Sequence, residues 1–139
     1  QADSPQSVQL LDMPEPDPAV ADAELMRKWE KIIAYRDIVA QELERARQAK
    51  VIGHSLDAAV TIIPDAEAAA VLSSVRGDLP RLLIVSQVEL APPAAGEGIT
   101  VQVAPAKGKK CSRCWVYSET VGKDAEHAEL CDRCAGVLK

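Results

Sequence analysis

The sequence contains no phenylalanine, and its only aromatic residues are two tryptophans and two tyrosines. Although 47% of the residues are hydrophobic, a core without phenylalanine must be built from aliphatic side chains and will be modest in size. No apolar run reaches the roughly 18–20 residues that cross a membrane, and the N-terminus is polar and acidic, unlike a signal peptide. These absences argue against a membrane or secreted protein and predict a soluble cytoplasmic chain.

Charge is unevenly spread along the chain, whose net charge is −5 over 139 residues. Residues 105–139 carry seven lysines and arginines against five acids, for a net +2. Residues 1–104 carry nine against sixteen, for a net −7. An acidic body with a basic end indicates that the basic end meets a polyanion.

Composition and periodicity divide the chain into four predicted segments of an α+β fold. Residues 1–17 are a proline-rich, extended lead-in. Residues 18–56 hold one long helix, with Asp17 as N-cap, Pro18 at its first position and Gly53 as a stop signal. Residues 57–104 form a small β-α-β-β unit, and residues 105–139 form a metal-binding module. The unit's predicted elements are a strand at 58–63, a helix at 65–74, and strands at 81–88 and 99–104.

One stripe of the long helix has the spacing of a face packed against other helices. This predicts a helical bundle whose other members lie upstream of this chain. A single arginine, Arg36, interrupts the stripe. It either pairs with a carboxylate or reaches water with its head group, or it lies in a groove and contacts a phosphate. The stripe comprises Leu25, Trp29, Ile32, Arg36, Val39, Leu43, Ala46 and Lys50.

All four cysteines stand in two CxxC pairs near the C-terminus, separated by sixteen residues. Each pair can form a tight turn that directs two thiolates at one metal, and a loop of this length can return to the same ion. Four protein ligands fill a tetrahedral zinc site, so the predicted ion is structural. Redox chemistry at a single CxxC and an iron–sulfur cluster are the weaker alternatives at this spacing. The predicted ligands are Cys111, Cys114, Cys131 and Cys134.

The residues around the cysteines indicate that the metal-binding module binds nucleic acid. Six basic side chains cluster there, and we interpret them as phosphate contacts rather than a solvated face. Tyr117 either packs in the small module or stacks on an unpaired base. Trp115 is expected to be structural, and His127 a surface residue rather than a ligand. The candidate nucleic-acid contacts are Lys107, Lys109, Lys110, Arg113, Tyr117, Lys123 and Arg133.

The segments 110–117, 121–122 and 126–134, with their CxRCW and ELCxRC patterns, closely resemble the C-terminal zinc finger of bacterial isoleucyl-tRNA synthetases. The segment from Trp29 to Leu56 resembles the last helix of that family's anticodon-binding domain and the turn after it. The resemblance covers nearly the whole chain. It implies an isoleucine-tRNA ligase, an enzyme that joins isoleucine to its tRNA using ATP and magnesium and has a separate editing domain.

The resemblance also implies that this chain is a non-catalytic C-terminal fragment. The family's two signature motifs for ATP binding do not occur in it, so ATP and magnesium would be bound by a domain outside this chain. The four cysteines match the family's zinc ligands, and this end of such enzymes reaches the anticodon region of the tRNA. Isoleucine-accepting tRNA and the remainder of the synthetase are the implied partners, and we expect a monomer.

Two alternative functions fit the four cysteines less well. One is the zinc-finger tail of a DNA-repair glycosylase, but the β-α-β-β unit does not suit such an enzyme. The other is a zinc ribbon for protein interaction, in which the basic cluster is incidental. Binding of tRNA, of duplex DNA or of neither separates the three hypotheses.

Overall fold

The computed structural model describes residues 7–138, so residues 1–6 of the predicted lead-in lie outside the described residues. Residues 7 and 9–17 of the lead-in are exposed, and a 3-10 turn spans Val8–Leu10. The α-helices are α1 (Ala23–Gln48), α2 (Ala66–Ser73), α3 (Leu79–Leu83) and α4 (Asp132–Leu138). The strands are β1 (Ala58–Pro64), β2 (Gln87–Leu90), β3 (Ile99–Pro105), β4 (Lys109–Lys110) and β5 (Tyr117–Ser118).

The long helix α1 begins later than predicted because two aspartates cap two different elements. Asp17 accepts a hydrogen bond from the Ala19 N–H and caps only a 3-10 turn at Pro18–Val20. Asp22 caps α1 itself, since its Oδ1 accepts from the Glu24 and Leu25 N–H groups, both at 2.9 Å. The helix ends before Lys50, which adopts a left-handed φ of 59°, so Gly53 is not the stop.

A three-stranded sheet with the order β2-β1-β3 forms the centre of the body. Strand β1 pairs in parallel with β2 and antiparallel with β3. Every second residue of β1 is buried, as a strand with one covered face requires. Helices α1, α2 and α3 cover that face and contribute Val39, Leu43, Ala68, Leu72, Leu79 and Leu83 to one apolar core.

The predicted strand at 81–88 is wrong in its first half. Residues Leu79–Leu83 form the helix α3, and the strand β2 begins only at Gln87. Pro80 lies in the first helical turn, where it costs no hydrogen bond. Leu79 and Leu83, one turn apart, are both buried. The unit is therefore β-α-α-β-β, and its apolar run is shared between a helix and a strand.

Helix α1 packs on the body mainly through its C-terminal half, where Val39 and Leu43 join the core. The Nε of Arg36 donates to the Leu82 carbonyl at 3.2 Å, so this arginine ties α1 to α3. Of the stripe residues nearer the start of α1, Ile32 is buried, whereas Leu25 and Trp29 are largely or partly exposed. Among residues 7–138, no helix combines the length and apolarity needed to cross a membrane.

Candidate metal centre

The four cysteines converge in the C-terminal module. Their Sγ atoms all lie within 4.8 Å of one another, and those of Cys114 and Cys131 are 3.8 Å apart. Four sulfurs at about 2.3 Å from a tetrahedral zinc ion would be separated by about 3.8 Å. All four are free thiols in the structure, and three of them are buried. The donor set and its spacing therefore fit a zinc ion.

The first pair of cysteines lies in a turn that follows β4. The Cys111 N–H donates to the Val116 carbonyl at 3.0 Å, and the Trp115 N–H donates to the Cys111 carbonyl at 2.9 Å. Trp115 takes a left-handed φ of 65° to close this turn. The turn brings the Cys114 thiol back beside that of Cys111, as a CxxC metal knuckle requires.

The second pair lies at the start of α4. The Ala135 N–H donates to the Cys131 carbonyl, so Cys134 comes one helical turn after Cys131. The Cys131 N–H also points at the Cys111 Sγ, with an N···S distance of 3.4 Å. The second knuckle therefore supports a sulfur of the first, which polarises that sulfur toward the thiolate form.

The local surroundings give the thiols different acidities. Burial opposes ionisation of Cys111, but the backbone N–H groups of Cys114, Cys131 and Arg113 outweigh it and lower the pKa of Cys111 to about 6. Burial raises the pKa of Cys131 to about 12 and also raises the pKa of Cys114. Metal binding requires all four as thiolates, so a bound cation would have to ionise the more basic thiols.

A small second core surrounds the thiols and is separate from the core of the body. It consists of Cys111, Leu130, Cys131, Cys134 and Ala135, with Val121 packed against it. Only two of its five buried residues are not cysteines. A module this small gains little from apolar burial, which is the situation in which a metal supplies folding energy.

Thr120 is a structural residue of the module that the sequence analysis missed. Its hydroxyl contacts both the backbone N–H and the carboxylate of Asp132, the residue after Cys131. The contact links the loop after β5 to the start of α4. A threonine twelve residues from its partner gives no local sequence pattern, so this contact could not be predicted.

The predicted basic contacts are all exposed, although one of them turns toward the thiols. Arg133 turns its Nη2 toward the Cys134 Sγ at 3.9 Å, and this contact raises the pKa of the guanidinium. Tyr117 is half-buried in β5. Its backbone N–H is bound by Ser86 of the body. The exposed lysines and arginines are Lys107, Lys109, Lys110, Arg113, Lys123 and Arg133.

The prediction that Trp115 is a structural core residue is wrong. Trp115 is 62% exposed, at a residue whose backbone is left-handed. The Lys110 Nζ lies 5.8 Å from the centre of the indole ring, within the range of a cation–π contact.

His127 is half-buried, and its backbone N–H donates to the Asp124 carboxylate. Among the described residues the cluster of metal-ligating side chains contains the four thiols alone.

The module is similar to a known zinc finger. Residues 108–136 match the family model described as "Zinc finger found in FPG and IleRS". The matched segment contains all four cysteines, both knuckles and most of α4.

The similarity to particular proteins extends well beyond the finger. The chain is 48% identical to the isoleucine--tRNA ligase of Bacillus mycoides (strain KBAB4) and 50% identical to that of Bacillus cereus (strain AH820). Each alignment covers 96% of this chain but 15% of the relative. The chain thus spans about one seventh of the length of these relatives, and its homologues are isoleucine--tRNA ligases. The predicted resemblance to bacterial isoleucyl-tRNA synthetases is confirmed.

Proposed function

We propose that this chain is the tRNA-binding, non-catalytic C-terminal part of an isoleucine--tRNA ligase, and that it works in the cytoplasm. The support is near 50% identity to such ligases over 96% of the chain, together with the zinc-finger match. Joining isoleucine to its tRNA, with ATP and magnesium, is assigned to the part of the ligase outside this chain. The role assigned here is recognition of the isoleucine-accepting tRNA near its anticodon.

Cys111, Cys114, Cys131 and Cys134 are assigned as the ligands of one zinc ion. The ion would supply a rigid crosslink between the two knuckles and leave no coordination position for a reacting molecule. The protein's own contribution is visible in the hydrogen bonds that fix the thiols. The Cys131 N–H supports one sulfur, and the turn closed by Trp115 orients another.

The exposed indole of Trp115 is the observation that carries the proposed contact with RNA. A large apolar ring on the surface of a small module with few buried residues gains no burial. The Nζ of exposed Lys110 lies 5.8 Å from the ring centre, and exposed Arg113 precedes Trp115 by two residues in the chain. An aromatic face flanked by cations is the arrangement with which proteins bind unpaired bases and their phosphates. We therefore assign stacking on an anticodon-region base to Trp115 and phosphate contacts to the neighbouring cations.

The proposal is tested by titrating the zinc-loaded chain with isoleucine-accepting tRNA and with duplex DNA at two salt concentrations. The proposal expects tRNA to bind more tightly than the duplex, with an affinity that falls as salt rises because phosphate contacts release counterions. Preferred binding of the duplex would support a glycosylase tail instead. Binding of neither nucleic acid would support a protein-interaction module.

A further inference from the structure

The finger and the body meet across an open groove rather than a shared core. The two apolar clusters have no buried residue in common. A cavity of about 480 Å³ lies between them, with Pro80, Ile84 and Val85 on the body side and Cys114 and Val116 on the finger side. The described buried residues of the two units thus fall into separate clusters, and we attribute the orientation of the finger to polar contacts made by the body.

Ser86 provides the first of these contacts. Its backbone N–H donates to the Ala58 carbonyl at 3.2 Å, which fixes the residue to β1 of the body. Its hydroxyl donates to the Leu56 carbonyl at 2.5 Å and accepts from the Tyr117 N–H at 2.8 Å. One side chain anchored in the body thus binds the backbone of β5 in the finger.

Gln87 provides the second contact. Its Oε1 accepts from the Lys107 N–H at 3.0 Å, and its Nε2 donates to the Lys107 carbonyl at 2.8 Å. The side-chain amide therefore pairs with the backbone of the connection to the finger as a neighbouring strand would. Gly108, which follows Lys107, has a φ of +92°. It lies so close to Ser118 that a Cβ on it would be 2.4 Å from the Ser118 carbonyl carbon. Gln87 thus holds Lys107 one residue before a position of the finger where only glycine fits.

We propose that Ser86 and Gln87 together form a latch that fixes the orientation of the finger on the body and thereby sets the affinity for RNA. The effect on RNA rests on the proposed function. The two residues are positioning residues, because their side chains bind Tyr117 and Lys107 rather than the RNA. Tyr117 pairs with Lys110 in the hairpin β4–β5, and the Lys110 Nζ lies 5.8 Å from the ring of the finger's exposed Trp115.

Orientation matters for binding because basic groups border the groove from both sides. Arg81 of the body and Arg133 of the finger both line it. An RNA strand that crosses the groove touches both units. Rigid attachment lets it engage both at once, whereas independent motion lowers the effective concentration of the second contact.

The variants Ser86→Ala and Gln87→Ala, singly and combined, test the latch in the full zinc-loaded chain. Nitrogen-15 relaxation compares the rotational correlation times of the finger and the body, and a titration measures tRNA affinity. In the double variant we expect the finger to tumble separately, one zinc per chain to be retained, and tRNA binding to weaken about tenfold. Ser86→Thr keeps the hydroxyl and should retain joint tumbling. Gln102→Ala, at an exposed amide on β3, is the matched control.

Joint tumbling in the double variant would overturn the latch. Separate tumbling with unchanged tRNA affinity would overturn its role in binding. Loss of the bound zinc or of the body's melting transition in Ser86→Ala and Gln87→Ala alike would also contradict it, because the two residues would then serve folding. Absence of tRNA binding by the unmodified chain would overturn the proposed function, and the relaxation data would still decide whether the latch exists.

Discussion

Thr120 binds Asp132 twice through one hydroxyl. The Oγ1 accepts from the Asp132 N–H at 3.1 Å and donates to the Asp132 Oδ1 at 3.0 Å. Asp132 follows Cys131 and begins α4, so the pair connects the loop of the finger to its second knuckle. This contact does not involve a thiol, but it helps to orient the second knuckle, which carries Cys131 and Cys134.

Replacing Thr120 by valine should weaken metal binding without destroying the finger. Valine has nearly the same shape but makes neither hydrogen bond to Asp132. Loss of a contact that orients a ligand typically costs at least about tenfold in metal affinity. Competition for zinc with a chelating dye measures this. Thr100→Val, at an exposed position of β3, is the control, and equal zinc affinity in the two variants would contradict the role of Thr120.

Replacing Cys131 by serine should unfold the finger and leave the body folded. The serine hydroxyl is a poor zinc ligand, and the finger's own core contains only Leu130 and Ala135 besides cysteines. We expect dispersed amide signals to persist for β1, β2 and β3 and to collapse for residues 105–138. Removing zinc from the unmodified chain with a chelator should have the same effect. A finger that stays dispersed without metal would contradict the structural role of zinc.

Ile84 occupies a backbone conformation that suits glycine. Its φ of 56° and ψ of 49° are left-handed, its side chain is β-branched, and 52% of it is exposed. Such a residue costs roughly 1–2 kcal/mol in this region. Ile84→Gly should therefore leave the free energy of unfolding of the body within about 0.5 kcal/mol or raise it.

Ile33→Gly is the matched control for this prediction. Ile33 is similarly exposed but lies inside α1, where glycine costs about 1 kcal/mol. Urea denaturation of both variants, followed by helical circular dichroism, gives the comparison. A loss in Ile84→Gly as large as that in Ile33→Gly would show that Ile84 is not strained.

Asp65 makes the stability of the body dependent on acid. The backbone N–H groups of Ala68 and Gly98 both donate to its carboxylate. They lower its pKa below the ordinary value of 3.8, and Ala68 has the larger effect. A group whose pKa is lower in the folded state stabilises the protein above its unfolded pKa, and this stabilisation is lost as the pH falls through the folded pKa.

Asp65→Asn should reveal this dependence. The variant should have a lower urea midpoint than the unmodified chain at pH 6, and the difference should shrink as the pH falls below about 4. Asp12→Asn, in the exposed lead-in, controls for the change in net charge. A difference in midpoint that is constant between pH 6 and pH 3 would contradict ionisation of Asp65 as its source.

Features determined by residues close together in the chain could be predicted from the sequence, whereas features that depend on distant residues could not. The knuckles could be predicted because each CxxC fixes its own turn, and the alternating residues of β1 carry their strand pattern within seven positions. The segment at 81–88 was misassigned because its unbroken apolar run fits a strand as well as a helix. Only the pairing of Leu79 with Leu83 on one helical face decides between them.

Two features of the candidate site could not be found by local pattern. One is the exposure of Trp115, which has a left-handed backbone that this residue type rarely adopts. The latch joins Ser86 and Gln87 to residues twenty or more positions away. Each depends on the folded arrangement of distant segments, which hydrophobic periodicity does not encode.

We propose that the zinc finger presents Trp115 to RNA, and Trp29 of α1 is an internal control for this role. The most direct measurement follows the two indole N–H signals in proton–nitrogen spectra as isoleucine-accepting tRNA is added. We expect the Trp115 signal to shift while the Trp29 signal does not, and Trp115→Ala to weaken binding by about 1–3 kcal/mol while Trp29→Ala does not. An unchanged Trp115 signal at saturating tRNA, or equal affinity losses in the two variants, would contradict it.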